Sequence, residues 1–405
     1  MTTILGWACG GILLSISLLV VYQWFWAIVA LLPPRRRTAV LTGEQSNFVI
    51  VIPAHNEETV LATTLRSLEQ VDYPRHRIHV VVVADRCDDG TARLARSHGV
   101  ECLERRDGLA GKGAAIAWTV DQLRLAGRGF DGLVIVDADT VVDRSCFAAF
   151  DEALRSGCEV QQGYNYLSNP WESSFTRIIA VTSVLRNRLF YSGKERLGFS
   201  SMLSGTGMCF SRRIIETYGW TALSVGEDWE CSVSLLLNGE KVHFNVRAKV
   251  MARESSRFAQ AAPQRLRWAS GRHGVALASA IKLLKAGARR RQPKLWDAAF
   301  SLLAPPYSVQ ATLTFVCVFA SWFLSTGGAW PFLLPWAILL TGLLAAYFVL
   351  GLAFTEAPLK ALVGIVMIPA FLPWRFAIEI LGLVGYGRRQ WVRTSRVWAS
   401  NPRGR

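Results

Sequence analysis

Two carboxylates one residue apart, Asp137–Ala138–Asp139, are the sharpest chemical signal in the chain. They follow a short apolar run, Leu133–Val136, that reads as a strand. In extended backbone, residues i and i+2 point to one side, so the two carboxylates would share a site. Such groups repel unless a cation or a proton joins them. Hard divalent ions take oxygen ligands, and Mg²⁺ commonly uses one or two carboxylates plus substrate phosphates. The pair therefore suits a nucleoside diphosphate. The plain alternative is a polar turn that caps the next helix.

Four further clusters fit the same chemistry. Asp85 ends another apolar run and precedes Asp88–Asp89–Gly90–Thr91. Its place at a strand tip suits a base or a ribose, while Asp88 or Asp89 would cap the helix that begins near Thr91. Gly111–Lys112–Gly113 precedes a helical stretch. Glycine lets backbone approach a phosphate and lysine brings charge, although the Walker pattern is not followed. Gly226–Glu227–Asp228 offers a carboxylate that could take a proton from an acceptor hydroxyl, a role worth about 10²–10⁴-fold in rate. Finally, Gln264, Arg267 and Trp268 stand at i, i+3 and i+4, one face of a helix. Arg can pair with phosphate oxygens, Gln can hydrogen-bond and Trp can stack on a sugar; an interfacial helix with snorkelling Arg is the alternative.

These residues need elements to hold them. Phe48–Pro53, Arg77–Ala84 and Leu133–Val136 are short apolar runs bounded by turn residues, which predicts buried parallel strands. Helical stretches lie between and after them, at Glu58–Gln70, Thr91–His98 and Gly113–Ala126. The alternation predicts an α/β domain with a mostly parallel, doubly wound sheet. Ligands of such sheets bind beyond the carboxyl ends of the strands, where His55–Asn56–Glu57, Asp85–Asp89 and Asp137–Asp139 all fall. Beyond them, Trp171–Leu197 reads as amphipathic helix, Lys241–Ala252 as a strand and Ala261–Ala286 as a basic helix.

Taken together, Pro53–Ala54–His55–Asn56–Glu57, Asp85, Asp137–Ala138–Asp139, Glu227–Asp228 and Gln264-x-x-Arg267–Trp268 occur in an order that resembles the family 2 glycosyltransferases of the GT-A fold. The likeness is greatest to the membrane branch that includes cellulose, hyaluronan, chitin and poly-N-acetylglucosamine synthases, and covers about residues 48–270. Trp391-x-Arg393–Thr394-x-Arg396 resembles a C-terminal signature of bacterial members. The resemblance implies a nucleotide-sugar donor, a UDP-sugar first of all, and a saccharide or lipid-linked acceptor. It implies that Pro53, Ala54, Glu57 and Asp85 hold the nucleoside, that Lys112 and Asp137 lie near the diphosphate, and that Asp139 binds Mg²⁺ or Mn²⁺. Asp228 would be the catalytic base. Gln264, Arg267 and Trp268 would hold the diphosphate and the acceptor end, and Ser204–Gly205–Thr206–Gly207 would be the acceptor loop. Two departures stand out. Arg86–Cys87 replaces the commoner Gly-Ser, and Ala252–Arg253–Glu254–Ser255–Ser256 replaces a Phe-x-Val-Thr gate. With the small C-terminal bundle, they bear on processive extrusion rather than on sugar transfer.

Hydropathy supplies the setting. Residues 1–34 and 298–355 contain no Asp, Glu, Lys, Arg or His. A membrane-crossing helix needs roughly 20 apolar residues, so the first block makes one span and the second two. Arg35–Arg37 follows the first block, an order opposite to that of a cleaved signal peptide. The organisation expected is a spanning helix at 1–34, a cytoplasmic catalytic domain at 35–270, interfacial helices at 271–297, membrane segments at 298–387 and a basic cytoplasmic tail at 388–405. An integral protein of a bacterial inner or plasma membrane fits. The net charge of +15 does not read as nucleic-acid binding, because no recognition helix, zinc finger or RNA-binding signature accompanies it. Many of the cations flank apolar segments, where anionic lipid head groups attract them. The eight cysteines form no Cys-x-x-Cys pair and read as reduced thiols.

Two other classes are weighed. A transporter would need ionisable residues inside its spans, which the 298–355 block lacks. A nucleotidyltransferase would release pyrophosphate and would not need Gln-x-x-Arg–Trp. The segment 361–374 is uncharged but covers only about 21 Å at ~1.5 Å per residue, short of a ~30 Å hydrocarbon core. Pro369 and Pro373 interrupt it, and Arg375 and Glu379 follow at i, i+4. A re-entrant or interfacial segment is expected there, giving three spans with Met1 outside and Arg405 inside. A Gly404→Cys variant, otherwise lacking exposed thiols, should therefore resist an impermeant thiol reagent on intact cells. Labelling from outside would establish a fourth crossing.

Overall fold

The computed structural model of the chain describes residues 2–33 and 44–386. Arg35–Arg37, Arg388, Arg389 and the Trp391–Arg396 signature lie outside the described residues. The described residues fall into two compact units. One holds the residues from Glu44 to Ser168 and Ser201–Val275; the other holds the N-terminal helix, Asn169–Ser200 and Ala276–Val384.

The first unit is built on a mixed sheet of eight strands among the described residues. They are β1 (Phe48–Ala54), β2 (Ile78–Asp85), β3 (Glu101–Arg105), β4 (Gly132–Ile135), β5 (Thr140–Val142), β6 (Val160–Leu167), β7 (Met208–Ser211) and β8 (Val242–Ala252). Their spatial order is β3-β2-β1-β4-β7-β6-β8-β5. β1, β2, β3 and β4 pair in parallel, as do β6 and β8, while β7 and β5 run antiparallel to their neighbours. The period of two along β1 explains the two layers. Phe48, Ile50 and Ile52 pack with Leu61, Leu65, Phe147 and Phe150 on one face. Val49 and Val51 pack with Ile116, Val120, Ile214 and Leu235 on the other. A strand buried on both faces must be apolar throughout, which is why β1 reads as a continuous run.

The expected strands at 48–53, 77–84 and 133–136 are present within a residue or so at each end, and 241–252 is β8. The strands β3, β5, β6 and β7 were not marked by such runs. β3 is Glu-Cys-Leu-Glu-Arg at the sheet edge, and β6 carries Gln161 and Gln162 into the interior, so neither shows an apolar pattern. The basic helix extends beyond its expected limits, over Phe258–Arg290 with Pro263 in its first turns. The 171–197 stretch is helical over Ser174–Val184 and Ser192–Arg196, with a π-helical turn at Leu185–Tyr191 between them.

The second unit is helical. Four of its helical runs are long and apolar enough to cross a membrane by length and composition: Thr2–Leu31, Tyr307–Thr326, Leu333–Ala353 and Pro358–Leu383. The fourth falls where a re-entrant or interfacial segment, or else a further span, is expected, and it meets the length and composition of a crossing helix. Its helical run passes through Pro369 and Pro373 and on to Leu383, and Arg375 meets Glu379 at 2.5 Å, largely buried. The helix continues past Arg375 because the charge pair folds against its own surface.

Polar burial fixes this unit. Lys194 is wholly buried; its Nζ lies 2.8 Å from Asp297 Oδ2 and donates to Ser301 Oγ at 2.8 Å. Tyr22 of the N-terminal helix donates to Asp297 Oδ1 at 2.6 Å. Next to Lys194, Gly193 meets that helix so closely that a Cβ would fall 2.1 Å from the Trp26 carbonyl oxygen. Removing one partner of a buried pair strands the other charge, which costs about 3–5 kcal/mol. Lys194→Met should lose stability of that order in denaturant unfolding of the detergent-solubilised protein. Combining it with Asp297→Asn should restore more than half. Equal stability of Lys194→Met and wild type would show that the pair contributes nothing.

Candidate active site

All of the site residues singled out in the sequence between Pro53 and Trp268 fall in the sheet unit. The strand ends set their positions. β1 ends at Ala54 and β2 at Asp85, side by side in parallel register, with Pro53 opposite Val83 and Ala54 opposite Ala84. β4 ends at Ile135, and the chain then turns rather than staying extended. The Thr140 amide donates to the Asp137 carbonyl at 3.1 Å, which closes a turn around Ala138 and Asp139. The expectation that Asp137 and Asp139 share one side of an extended strand is thus replaced by a turn that leaves both half-buried. The Asp137 amide donates to Thr206 Oγ1 at 3.0 Å, tying this turn to the 204–207 loop.

Lys112 brings the clusters together. It is the first residue of the Lys112–Leu125 helix, after Gly111 in a left-handed conformation at φ 122°. Its Nζ lies 2.6 Å from Asp137 Oδ1 and 3.5 Å from Glu227 Oε1, and donates to the Gly205 carbonyl at 2.5 Å. Burial by itself would lower its pKa, but the carboxylates of Asp137, Glu227 and Asp228 outweigh that and hold it above the ordinary lysine range. Glycine is required twice around it. A Cβ on Gly113 would come within 2.3 Å of the Ala222 carbonyl oxygen, so only glycine lets the loop before Glu227 press this helix. Gly205 has φ 82°, and its Cβ position is 3.4 Å from Lys112 Nζ and 3.8 Å from Asp228 Oδ2.

Glu227 and Asp228 open the Glu227–Leu237 helix. Burial and the adjacent Glu227 carboxylate push Asp228 up to about 7, against the opposing Lys112 cation. Burial likewise raises Glu227. A carboxyl poised near neutrality can hold or release a proton at working pH.

At the β2 end, Asp85 is buried. Its Oδ1 accepts from Arg105 at 2.6 Å and from Arg86 at 3.1 Å. Asp89 accepts from the Thr91 amide at 2.9 Å, but the residue at the helix N-cap is Gly90, so neither Asp88 nor Asp89 holds the capping position expected. Glu57 sits just past β1 with its amide donating to Thr91 Oγ1 at 2.9 Å.

The Phe258–Arg290 helix separates its motif residues. Gln264 is buried, Arg267 half-buried and Trp268 exposed. Burial lowers Arg267 from its usual range, opposed by the carboxylates of Asp137, Glu227 and Glu57. Arg265 turns elsewhere: Glu254 binds its Nη2 at 2.5 Å, and its guanidinium lies 5.0 Å from the centre of the Trp268 ring. Thus the stretch in the place of the gate is bolted to this helix by an ion pair. No motif marks Arg265, Arg105 or Gln162 as part of the site, and Glu254 is marked only as a member of the stretch in the place of the gate. Gln162 bridges the 204–207 loop, accepting from the Ser204 amide at 2.8 Å and donating to the Thr206 carbonyl at 3.0 Å. The one available signal was that Gln161 and Gln162 are polar residues in a stretch that must otherwise be buried.

Among the described residues, no group of three or more His, Cys, Asp or Glu converges as a self-sufficient metal cage. Asp139 and Asp137, half-buried carboxylates in one turn, are oxygen donors of the kind a hard divalent cation takes, with one oxygen of Asp137 engaged by Lys112.

Comparisons with known proteins bear on the family and the fold. Residues 46–271 match the family described as Glycosyltransferase like family 2, and the chain belongs to it. It is 25% identical over 251 residues to the probable glycosyltransferase YdaM of Bacillus subtilis, covering 60% of this chain and 59% of that one. It is 23% identical over 204 residues to a probable glycosyltransferase of Sulfolobus acidocaldarius, covering 48% of this chain and 43% of that one. The chain therefore spans under two-thirds of the length of either relative. Among solved structures it is similar to the mannosyltransferase PcManGT of Pyrobaculum calidifontis, with a TM-score of 0.57 at 16% identity, covering 95% of this chain and 99% of that one. The fold is the GT-A type, flanked by helices fit to cross a membrane, and the protein is a family 2 glycosyltransferase.

Proposed function

We propose that the protein is an inverting, metal-dependent transferase that moves a sugar from a nucleotide-sugar, a UDP-sugar first of all, to a polysaccharide or lipid-linked acceptor at the membrane. The observation that carries the reading is the Lys112 cluster. One ammonium touches the first carboxylate of the Asp-x-Asp turn, the carboxylate next to Asp228 and the carbonyl of the 204–207 loop. Donor motif, base and acceptor loop thus meet at one charge.

In this reading Pro53, Ala54, Glu57 and Asp85 hold the nucleoside, and Lys112, Asp137 and Arg267 face the diphosphate. Asp228 takes the proton of the acceptor hydroxyl, which displaces the nucleotide in one step with inversion. Lys112 and Arg267 offset charge as the nucleoside diphosphate departs, a positioning and electrostatic contribution. Gln264 and Trp268 stand on the acceptor side with Ser204–Gly207. Mg²⁺ or Mn²⁺, held by Asp139, would supply further neutralisation of the diphosphate. The solved mannosyltransferase contains GDP-mannose and Mn²⁺, so GDP-sugars belong beside UDP-sugars in any donor panel. The catalytic unit is read as cytoplasmic, on the side where nucleotide-sugars are made, with membrane lipid as a further partner.

A panel of nucleotide-sugars with the purified protein in lipid should give nucleoside diphosphate release from one donor class. Pyrophosphate release from a nucleoside triphosphate would instead indicate nucleotidyl transfer. EDTA should abolish transfer, and Mg²⁺ or Mn²⁺ should restore it; full activity of verified metal-free protein would remove the metal from the mechanism. Asp228→Asn should lower kcat by about 10²–10⁴ with little change in nucleotide affinity. The pH dependence follows from the raised Asp228 carboxyl. A base must be unprotonated, so kcat/KM should be level above about 7 and fall about tenfold per pH unit below it. That limb should vanish in Asp228→Asn. Near-normal turnover of the variant would move the base elsewhere, with Glu227 next in line.

A further inference from the structure

Arg86 occupies a backbone position that favours glycine. Its φ is 52°, in the left-handed region where a long side chain is disfavoured. Residues held in such conformations cluster at ligand clamps, where surrounding contacts over-determine them. Those contacts are present. The Arg86 amide donates to the Arg105 carbonyl at 2.8 Å. Its Nη1 donates to Asp85 Oδ1 at 3.1 Å, and its Nη2 donates to the Gly108 carbonyl. Arg105, itself buried, donates to the same Asp85 oxygen at 2.6 Å and to the Leu109 carbonyl at 2.5 Å.

Two guanidinium groups on one carboxylate oxygen leave the other uncovered. Asp85 Oδ2 is buried and accepts no hydrogen bond from any described residue. A buried acceptor without a donor is costly, which points to a ligand N–H as its missing partner. Arg86 Nε makes no hydrogen bond among the described residues either, and the Arg86 side chain is only 29% exposed. The tip of β2 therefore presents an acceptor, Asp85 Oδ2, beside an Arg86 guanidinium whose Nη atoms are held on Asp85 and on the Gly108 and Leu109 carbonyls and whose remaining N–H groups can donate to a ligand.

We infer that Arg86 and Asp85 together select the donor's base, by reading a ring N–H that sits next to a carbonyl oxygen. This rests on the reading of the β2 end as part of a nucleotide-sugar site. Uracil offers N3–H beside O4, and guanine offers N1–H beside O6. Cytosine and adenine present the reverse, an amino donor beside an unprotonated ring nitrogen, which would set donor against Arg86 and acceptor against Asp85. Arg is the side chain best suited to grip such a carbonyl oxygen, as it does guanine O6 in nucleic acids. Arg86 is the specificity-determining residue. A small residue at the same place would leave Asp85 to read the N–H alone.

The test measures binding of UDP, GDP, CDP and ADP, each with Mn²⁺, to the full-length protein in lipid by titration calorimetry. Wild type should bind UDP or GDP about tenfold or more tighter than CDP and ADP. Arg86→Gly removes the fork and also relieves the left-handed backbone, so a merely structural role would leave the rank of the four nucleotides unmoved. The expected result is a melting temperature within a few degrees of wild type, with discrimination narrowed to about threefold or less. Arg86→Lys keeps the cation but not the fork, and should show the same narrowing if Arg86→Gly does not fold. Equal binding of all four by wild type would overturn the inference and leave the donor site standing. So would an unchanged rank in both variants, which would make Arg86 a strut for the 105–109 loop. Failure of every nucleotide to bind would overturn the donor reading and this inference with it.

Discussion

A single ammonium organises the catalytic unit. Lys112 comes from a helix start, Asp137 from a strand end, Glu227 from another helix start and Gly205 from a loop between strands. Three carboxylates gathered in a half-buried space would repel one another if no cation stood among them. The same cation tempers Asp228, which burial and Glu227 push toward neutrality. Charge balance at this point thus sets both the spacing of the site and the proton affinity of its proposed base. Gly113 is the steric complement, since a side chain there would push against the Ala222 carbonyl, and Gly205 allows the positive φ of the loop that meets Lys112.

The sheet supplies the rigidity this arrangement needs. Two cores, one on each face of β1, fix the ends of β1, β2 and β4 where Ala54, Asp85 and the Asp137 turn emerge. The antiparallel β7 and the polar β6 then bring the 204–207 loop against that turn through Thr206 and Gln162. Positioning by packed strands holds reacting groups more tightly than loops alone can. The helical unit is fixed by different means. Apolar helices packing on one another gain little from hydrophobic burial in a bilayer, so small residues and satisfied polar groups set their contacts. Gly193 and the Tyr22–Asp297–Lys194 cluster are of this kind.

The two departures from the family pattern have structural meaning in the fold. Glu254 and Arg265 clamp the segment after β8 onto the helix bearing Arg267, and Arg265 in turn backs the exposed Trp268 ring. Arg86 joins Asp85 to the 108–109 backbone at the opposite side of the nucleoside motif. In both cases an arginine fork joins two segments of the chain, making several contacts at once.

The sequence by itself determined the family and much of the fold. Apolar runs of β-branched residues mark β1, β2 and β4 because strands buried on both faces admit little else. Uncharged blocks mark three of the helices fit to cross a membrane because a hydrocarbon core excludes charge. The ordered carboxylates and Gln264-x-x-Arg267–Trp268 mark the family, whose match runs over residues 46–271. Tertiary structure decided what depends on partners distant in the chain. It turned Asp137 and Asp139 out of the strand, placed Lys112 among carboxylates, set Arg265 on Glu254 and Arg267 toward the site, and carried the last helix past Arg375 by pairing it with Glu379. β3, β6 and the charged pairs escaped notice for one physical reason. A polar side chain is buried when its hydrogen-bonding partner is in place, and that partner is a property of the fold rather than of the neighbouring residues.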